Sequence, residues 1–163
     1  MNSILVVGAN SFIGRHLVNK LIKKGEDIIA LVRSAQKIPS EWNGTVKIRI
    51  GDITEKESLV GVCKDVKIVF HLAAKVHDFS GIGDNVKEHF TVNVEGTRNL
   101  LDECKNYRLM HFVYFSSVKA MAEESNGTLD ELFPPKPTTA YGKSKIEAEK
   151  LVAEYGRESG FMT

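Results

Sequence analysis

An α/β fold built on a doubly wound parallel sheet is predicted by three observations. Short runs of branched apolar residues alternate with longer stretches of helical periodicity along the chain. A glycine-bounded turn, Gly8-Ala-Asn-Ser-Phe-Ile-Gly14, joins the first run to the first helix. The residues with chemistry to offer fall just past the ends of apolar runs, where open α/β sheets bind their ligands.

Each element follows from local pattern. Ile4-Leu-Val-Val7 reads as a strand, and with its start near residue 3 no leader peptide is expected. After Gly14 a helix carries apolar residues at 17, 18, 21 and 22 and closes at Gly25. Asp27 to Arg33 is the second strand, and Thr45 to Ile50, ending at Gly51-Asp52, is the third. Thr54-Glu-Lys-Glu57 fits a capping box opening a short helix to about Lys64. Lys67 to Leu72 is the fourth strand, and a polar loop from Lys75 to Asp84 leads to a long helix from Asn85 to Lys105. His111 to Ser116 is the fifth strand. A polar, proline-containing loop over 119–139 precedes a final helix from Thr139 to Arg157. Gly160-Phe-Met-Thr163 reads as the start of another strand. Strands separated by helices imply parallel pairing.

Composition narrows the function classes. A chain of 163 residues is one domain with room for a real core. Its 22 basic and 21 acidic side chains leave no electrostatic footprint for nucleic acid or an anionic membrane. Cys63 and Cys104 are too few for a disulfide scaffold and lack metal-ligand spacing, so reduced thiols, no metal and a cytoplasmic setting are expected. No apolar stretch approaches the ~20 residues of a membrane span.

A strand, a glycine turn and a helix make the context in which a glycine motif points to a dinucleotide. Gly8 and Gly14 allow a tight turn and close backbone approach. The intervening Asn10, Ser11, Phe12 and Ile13 lead into a helix N-terminus that offers N–H groups to a pyrophosphate. About twenty residues on, where an acidic side chain would hydrogen-bond a ribose 2′-hydroxyl, stands Arg33. A guanidinium suits a 2′-phosphate, which favours NADP over NAD, and the alternative is a solvated arginine at a strand end.

Tyr141-Gly-Lys-Ser-Lys145, with Ser116-Ser117 at the end of the fifth strand, supplies reactive groups. Tyr141 and Lys145 lie one helical turn apart. A phenol titrating near ~10 is a poor base at neutral pH. An ammonium about 4 Å away, at an effective dielectric of ~20, favours the phenolate by up to ~4 kcal/mol, enough to bring it near ~7. A serine hydroxyl nearby could hold the oxygen whose proton moves.

These pieces, GANSFIG (8–14), GDIT (51–54), HLAA (71–74), NVEGT (93–97), YFSSVKA (114–120) and YGKSK (141–145), span nearly the whole chain. In order and spacing the chain resembles the N-terminal part of an extended short-chain dehydrogenase/reductase of the NAD-dependent epimerase/dehydratase group. More narrowly, HLAAKVHD, SSVK and the proline-rich approach to YGKSK are similar to UDP-sugar 4-epimerase-like and 4-ketoreductase-like members.

The resemblance implies a Rossmann-like fold and an NAD(P)-dependent enzyme acting on a nucleotide-sugar. It implies that Tyr141 is the general acid/base, that Lys145 tunes it and binds the nicotinamide ribose, and that Ser117 holds the reacting oxygen. Asp52 and Ile53 would line the adenine site, with Ala73, Ala74 and Lys75 beside the pyrophosphate and ribose. Asn93 would lie behind the active site, supporting a helix distortion or a water chain. Simpler roles are a turn cap for Asp52 and backbone satisfaction for Asn93, and His71 and His77, with no partnered carboxylate or metal spacing, are not expected to be catalytic. The chain departs from the family pattern at Ser11, which replaces the middle glycine of the turn, and at Thr163, beyond which full-length members carry further strands and a smaller region that grips the sugar. A truncated domain over 1–163, an open sheet edge from Phe161 and homo-oligomers are therefore expected. Rival readings are a non-catalytic dinucleotide sensor and a reductase of a non-sugar carbonyl.

Overall fold

A computed structural model describes residues 3–76, 85–125 and 127–163. His77 and most of the loop ending at Asp84 lie outside the described residues.

Five strands, β1 (Ser3–Val7), β2 (Ile28–Val32), β3 (Val46–Ile50), β4 (Val66–His71) and β5 (His111–Tyr114), form one sheet. Their order is β3-β2-β1-β4-β5, and every pair is parallel. This is the doubly wound sheet that the alternating pattern predicts. β1 and β2 are buried along their whole length because helices cover both faces. Ile4 and Val6 face one core with Ile28, Ala30 and Val32, closed by Val18 and Leu21 of helix α1 (Phe12–Lys23) and by Trp42. Leu5 and Val7 face the other core, closed by Leu100 and Leu101 of α3 (Gly96–Cys104) and by Leu151 and Val152 of α4 (Ala140–Ser159).

The predicted helix from Asn85 to Lys105 exists as three segments. Helix α2 (Val86–Phe90) starts at an Asn85 cap, one π-helical turn spans Thr91–Glu95, and α3 completes it. The capping box at Thr54 does not form. Thr54 gives its hydroxyl to Asp52 Oδ1 at 2.8 Å instead of accepting from Glu57, and only a 3-10 turn, Lys56–Leu59, follows. Gly61 and Asp65, with φ of 78° and 63°, end any continuation to Lys64.

Past α4, Gly160 adopts φ 75° and turns the chain back to β5. Phe112 N–H donates to the Met162 carbonyl at 2.8 Å, and Met162 N–H donates to the Met110 carbonyl at 2.9 Å. The segment predicted to enter a further strand thus pairs parallel to β5 at one bridge. No helix among the described residues is long and apolar enough to cross a membrane.

Candidate cofactor and catalytic site

β1 is flanked by β2 and β4, which the chain reaches by opposite routes, so a crevice opens past the carboxyl ends of β1 and β4. A cleft of about 510 Å³ lies there. It is lined by Gly8, Asn10 and Ser11 from the first turn, Arg33 past β2, and Asp52 and Ile53 past β3. Ala73, Ala74 and Lys75 past β4 also stand in its wall, whereas Phe12, Ile13, Gly14, Asn93, Tyr141 and Lys145 of the sequence-predicted set do not line it.

The cleft fits a dinucleotide on two structural grounds. A Cβ on Gly8 would stand 2.8 Å from the Ala73 backbone nitrogen, and one on Gly14 would stand 2.4 Å from the Gly8 carbonyl oxygen. The turn therefore closes only with hydrogen at both positions. At the N-terminus of α1, Phe12 and Ile13 are 81% and 54% exposed, and their N–H groups have no acceptor among the described residues. Such free donors at the positive end of a helix suit a diphosphate.

Ser11 does not strain the turn. Its φ of −69° and ψ of 168° suit any residue, and its Oγ accepts the Gly14 N–H at 3.1 Å as the cap of α1. The hydroxyl proton stays available to a phosphate oxygen. Arg33 is exposed in the cleft wall and has no ion-pair partner among the described residues. Asp52 caps its own turn, with Oδ1 accepting the Thr54 N–H at 2.9 Å, and still borders the cleft. Ile53 is buried, and its side chain leaves no room for a Cβ on Gly96.

The reactive residues gather past β5. Ser117 caps a 3-10 turn, Val118–Ala120, accepting the Lys119 N–H at 3.2 Å. A Cβ on Gly142 would be 2.3 Å from the Lys119 carbonyl oxygen, so the glycine next to Tyr141 lets α4 press directly on the Ser117 loop. Thr139 caps α4 and bonds Glu123, which pairs with Lys119 at 2.8 Å. Tyr141 is half-buried, its ring 6.0 Å from that of His89.

Lys145 is 2% exposed. Its Nζ donates to the Phe115 carbonyl at 2.6 Å and lies 4.1 Å from the centre of the Tyr114 ring. Burial pulls its pKa down to about 8, and the Glu149 carboxylate offsets this in part. The helical spacing from Tyr141 is as the sequence predicts, while the ammonium is directed at the end of β5.

Asn93 does not satisfy its own helix. Its Oδ1 accepts the Lys75 N–H at 2.8 Å, and its Nδ2 donates to the Lys75 carbonyl at 3.0 Å and to Ser144 Oγ at 2.8 Å. Ser144 in turn donates to the Tyr141 carbonyl at 2.7 Å. Sequence reasoning assigned no role to Ser144, to Thr97, or to Glu88, which pairs with Lys75 at 3.1 Å. Ser144 and Thr97 sit inside quoted motifs, the only signal they gave. His71 is fully buried against Thr97 and Tyr114. Among the described residues no cluster of three or more His, Cys, Asp or Glu could hold a metal.

Residues 4–163 match the family model described as "NAD dependent epimerase/dehydratase family". The chain belongs to that family. A 3-beta-hydroxysteroid dehydrogenase of Mycolicibacterium neoaurum is 32% identical across all of this chain and 46% of its own length. A putative UDP-glucose 4-epimerase of Methanocaldococcus jannaschii is 33% identical over 96% of this chain and 52% of its own. Among solved structures, the UDP-glucose 4-epimerase of Thermus thermophilus in complex with NAD superposes with a TM-score of 0.86. It shares 28% identity, over 98% of this chain and 52% of that one. The chain spans about half the length of these epimerase/dehydratase relatives.

Proposed function

We propose that the chain is the dinucleotide-binding part of an NAD(P)-dependent nucleotide-sugar epimerase or oxidoreductase, acting at a sugar carbinol, C4 of a UDP-sugar. The observation that carries this reading is the buried Lys145 ammonium on the helix that bears Tyr141. A desolvated cation destabilises the fold, and a module that only bound a dinucleotide would have no use for it one helical turn from Tyr141. Nicotinamide bound in the cleft supplies the hydride acceptor. Tyr141 takes the carbinol proton, Ser117 holds the same oxygen, and Lys145 favours the phenolate while bonding the ribose. The N–H groups of Phe12 and Ile13 and the Ser11 hydroxyl hold the diphosphate, and Arg33 meets a 2′-phosphate, which favours NADP. Self-association completes the proposal.

The two epimerases among the relatives support the nucleotide-sugar reading. The steroid dehydrogenase supports a second reading, oxidation of a hydroxyl on a non-sugar ring by the same three side chains. The test is to identify the nucleotide retained on purification, then screen UDP-sugars and 3β-hydroxysteroids for turnover with a version carrying the C-terminal region of its relatives. Turnover of UDP-sugars alone supports the first reading, and turnover of steroids alone replaces it with the second.

A further inference from the structure

His71, Thr97 and the π turn form a buried chain that the reaction itself does not use. His71 and Thr97 are 0% exposed and Asn93 is 1% exposed. A π turn inserts one residue into an α-helix and disturbs the backbone ladder around it. Here the Asn93 carbonyl accepts the Thr97 hydroxyl at 2.7 Å. A carbonyl oxygen only accepts, so the Thr97 proton is committed to it. The contact between Thr97 Oγ1 and His71 Nε2 at 2.9 Å therefore has the imidazole as donor. His71 is then the Nε2–H tautomer with a bare Nδ1, and that Nδ1 has no partner among the described residues. Burial, reinforced by the Lys145 charge, holds the ring neutral by pulling its pKa down to about 3.

At its other end the chain reaches both halves of the site. The Asn93 carboxamide exchanges two hydrogen bonds with the Lys75 backbone in the cleft wall and a third with Ser144, which bonds the Tyr141 carbonyl. A one-residue change of register would rotate Asn93 by about 100° around the helix axis, away from Lys75.

We propose that His71 and Thr97 are positioning residues: by holding the Asn93 carbonyl in the π turn, they aim its carboxamide so that it ties the Lys75 end of the cofactor cleft to the helix bearing Tyr141. Its bearing on cofactor binding rests on the dinucleotide reading of the cleft, whereas the coupling itself does not. Thr97 acts through its hydroxyl, not its methyl group, and this separates positioning from packing.

The test uses NMR on this chain with Thr97→Val and Thr97→Ser. Histidine ¹⁵N shifts report the tautomer, amide exchange reports Lys75, and titration reports NAD(H) affinity. Expected are the Nε2–H tautomer in the parent and, in Thr97→Val, roughly tenfold faster Lys75 exchange with roughly tenfold weaker NAD(H) binding. Thr97→Ser, which keeps the hydroxyl and loses the methyl, should restore both. An Nδ1–H tautomer overturns the proposal, as does a Val variant in which Lys75 exchange stays parental, whatever the Ser variant does. If the Val variant fails to fold, the Ser variant decides: parental Lys75 exchange supports the chain, and faster exchange overturns it. A parent that shows the expected tautomer and exchange but binds no dinucleotide upholds the coupling and contradicts the cofactor reading instead.

Discussion

The Asn93 side chain pairs with the Lys75 backbone in both directions, Oδ1 taking its N–H at 2.8 Å and Nδ2 giving to its carbonyl at 3.0 Å. A carboxamide here plays the part of a neighbouring strand for the residues that leave β4. Backbone at a sheet end would otherwise turn to water for its partners. The cleft wall is thereby fixed before any ligand arrives, which reduces the ordering that binding must impose.

Arg33 should set the choice of dinucleotide. It stands exposed in the cleft wall with no carboxylate paired to it among the described residues. NADP(H) is expected to bind roughly tenfold more tightly than NAD(H), and Arg33→Ala should abolish the preference. Calorimetric titration of both cofactors checks this. Tighter NAD(H) binding in the parent, or an unchanged preference in the variant, would make Arg33 a solvated side chain.

Lys145→Met should make the cofactor-free chain more stable and the site worse. Burial lowers the folded-state pKa from 10.5 to about 8, so folding disfavours the ammonium. The unfolded chain binds more protons between those values, and stability rises with pH across that window. At pH 7 the full penalty is present, on the order of 3 kcal/mol before the Phe115 hydrogen bond is counted against it. A Tm raised by a few degrees with weakened cofactor binding is the expected pair of results. A lower Tm would mean that the bond to Phe115 and the contact with Tyr114 outweigh burial.

His71 should make the fold sensitive to mild acid. Its folded-state pKa of about 3 lies below the ordinary 6.5, so the unfolded chain binds the extra proton between the two. Stability is complete above about pH 6.5 and falls as pH drops towards 3, by up to ~1.4 kcal/mol per pH unit. The Lys145 ammonium adds to this effect, and the neighbouring Tyr114 phenol, held neutral by burial, does not oppose it. Urea denaturation at pH 6.5 and 5 should show a clear loss in the parent and a smaller one in His71→Gln. Equal losses would assign the acid sensitivity elsewhere.

Much of this was legible in the sequence because it depends on local pattern. The run Ile4–Val7, the turn and the periodic helix specify a strand–turn–helix unit without reference to anything distant, and the glycines sit where backbone crowding demands them. What was not legible depends on partners that the local pattern does not name, some of them far along the chain. Thr54 reads as a cap in its own tetrad, yet Asp52 takes its hydroxyl. The π turn shows in no periodicity, although the resemblance implied a helix distortion at Asn93, since Thr97 one turn on, His71 of β4 and the Lys75 backbone past β4 hold it. The direction of Lys145 depends on where β5 ends, and the Phe115 carbonyl decides it. Ser11, a departure from the family's glycine, proves compatible with the turn because φ there is negative and the hydroxyl caps the helix.

In a version extended by the C-terminal region of its relatives, Tyr141→Phe should lose at least ~10²-fold in turnover while cofactor affinity is kept. Steady-state kinetics paired with cofactor titration separates the two effects. Normal turnover in the variant would place the proton chemistry on another group.

The most direct measurement is titration of NADP(H) and NAD(H) into the ¹⁵N-labelled chain. Saturable binding is expected, with the largest amide shifts at Gly8, Ser11, Phe12, Ile13, Asp52 and Ala73 to Lys75, the residues around the cleft and its phosphate turn. No binding, or shifts confined to the opposite ends of the strands, would contradict a dinucleotide site at the junction of β1 and β4.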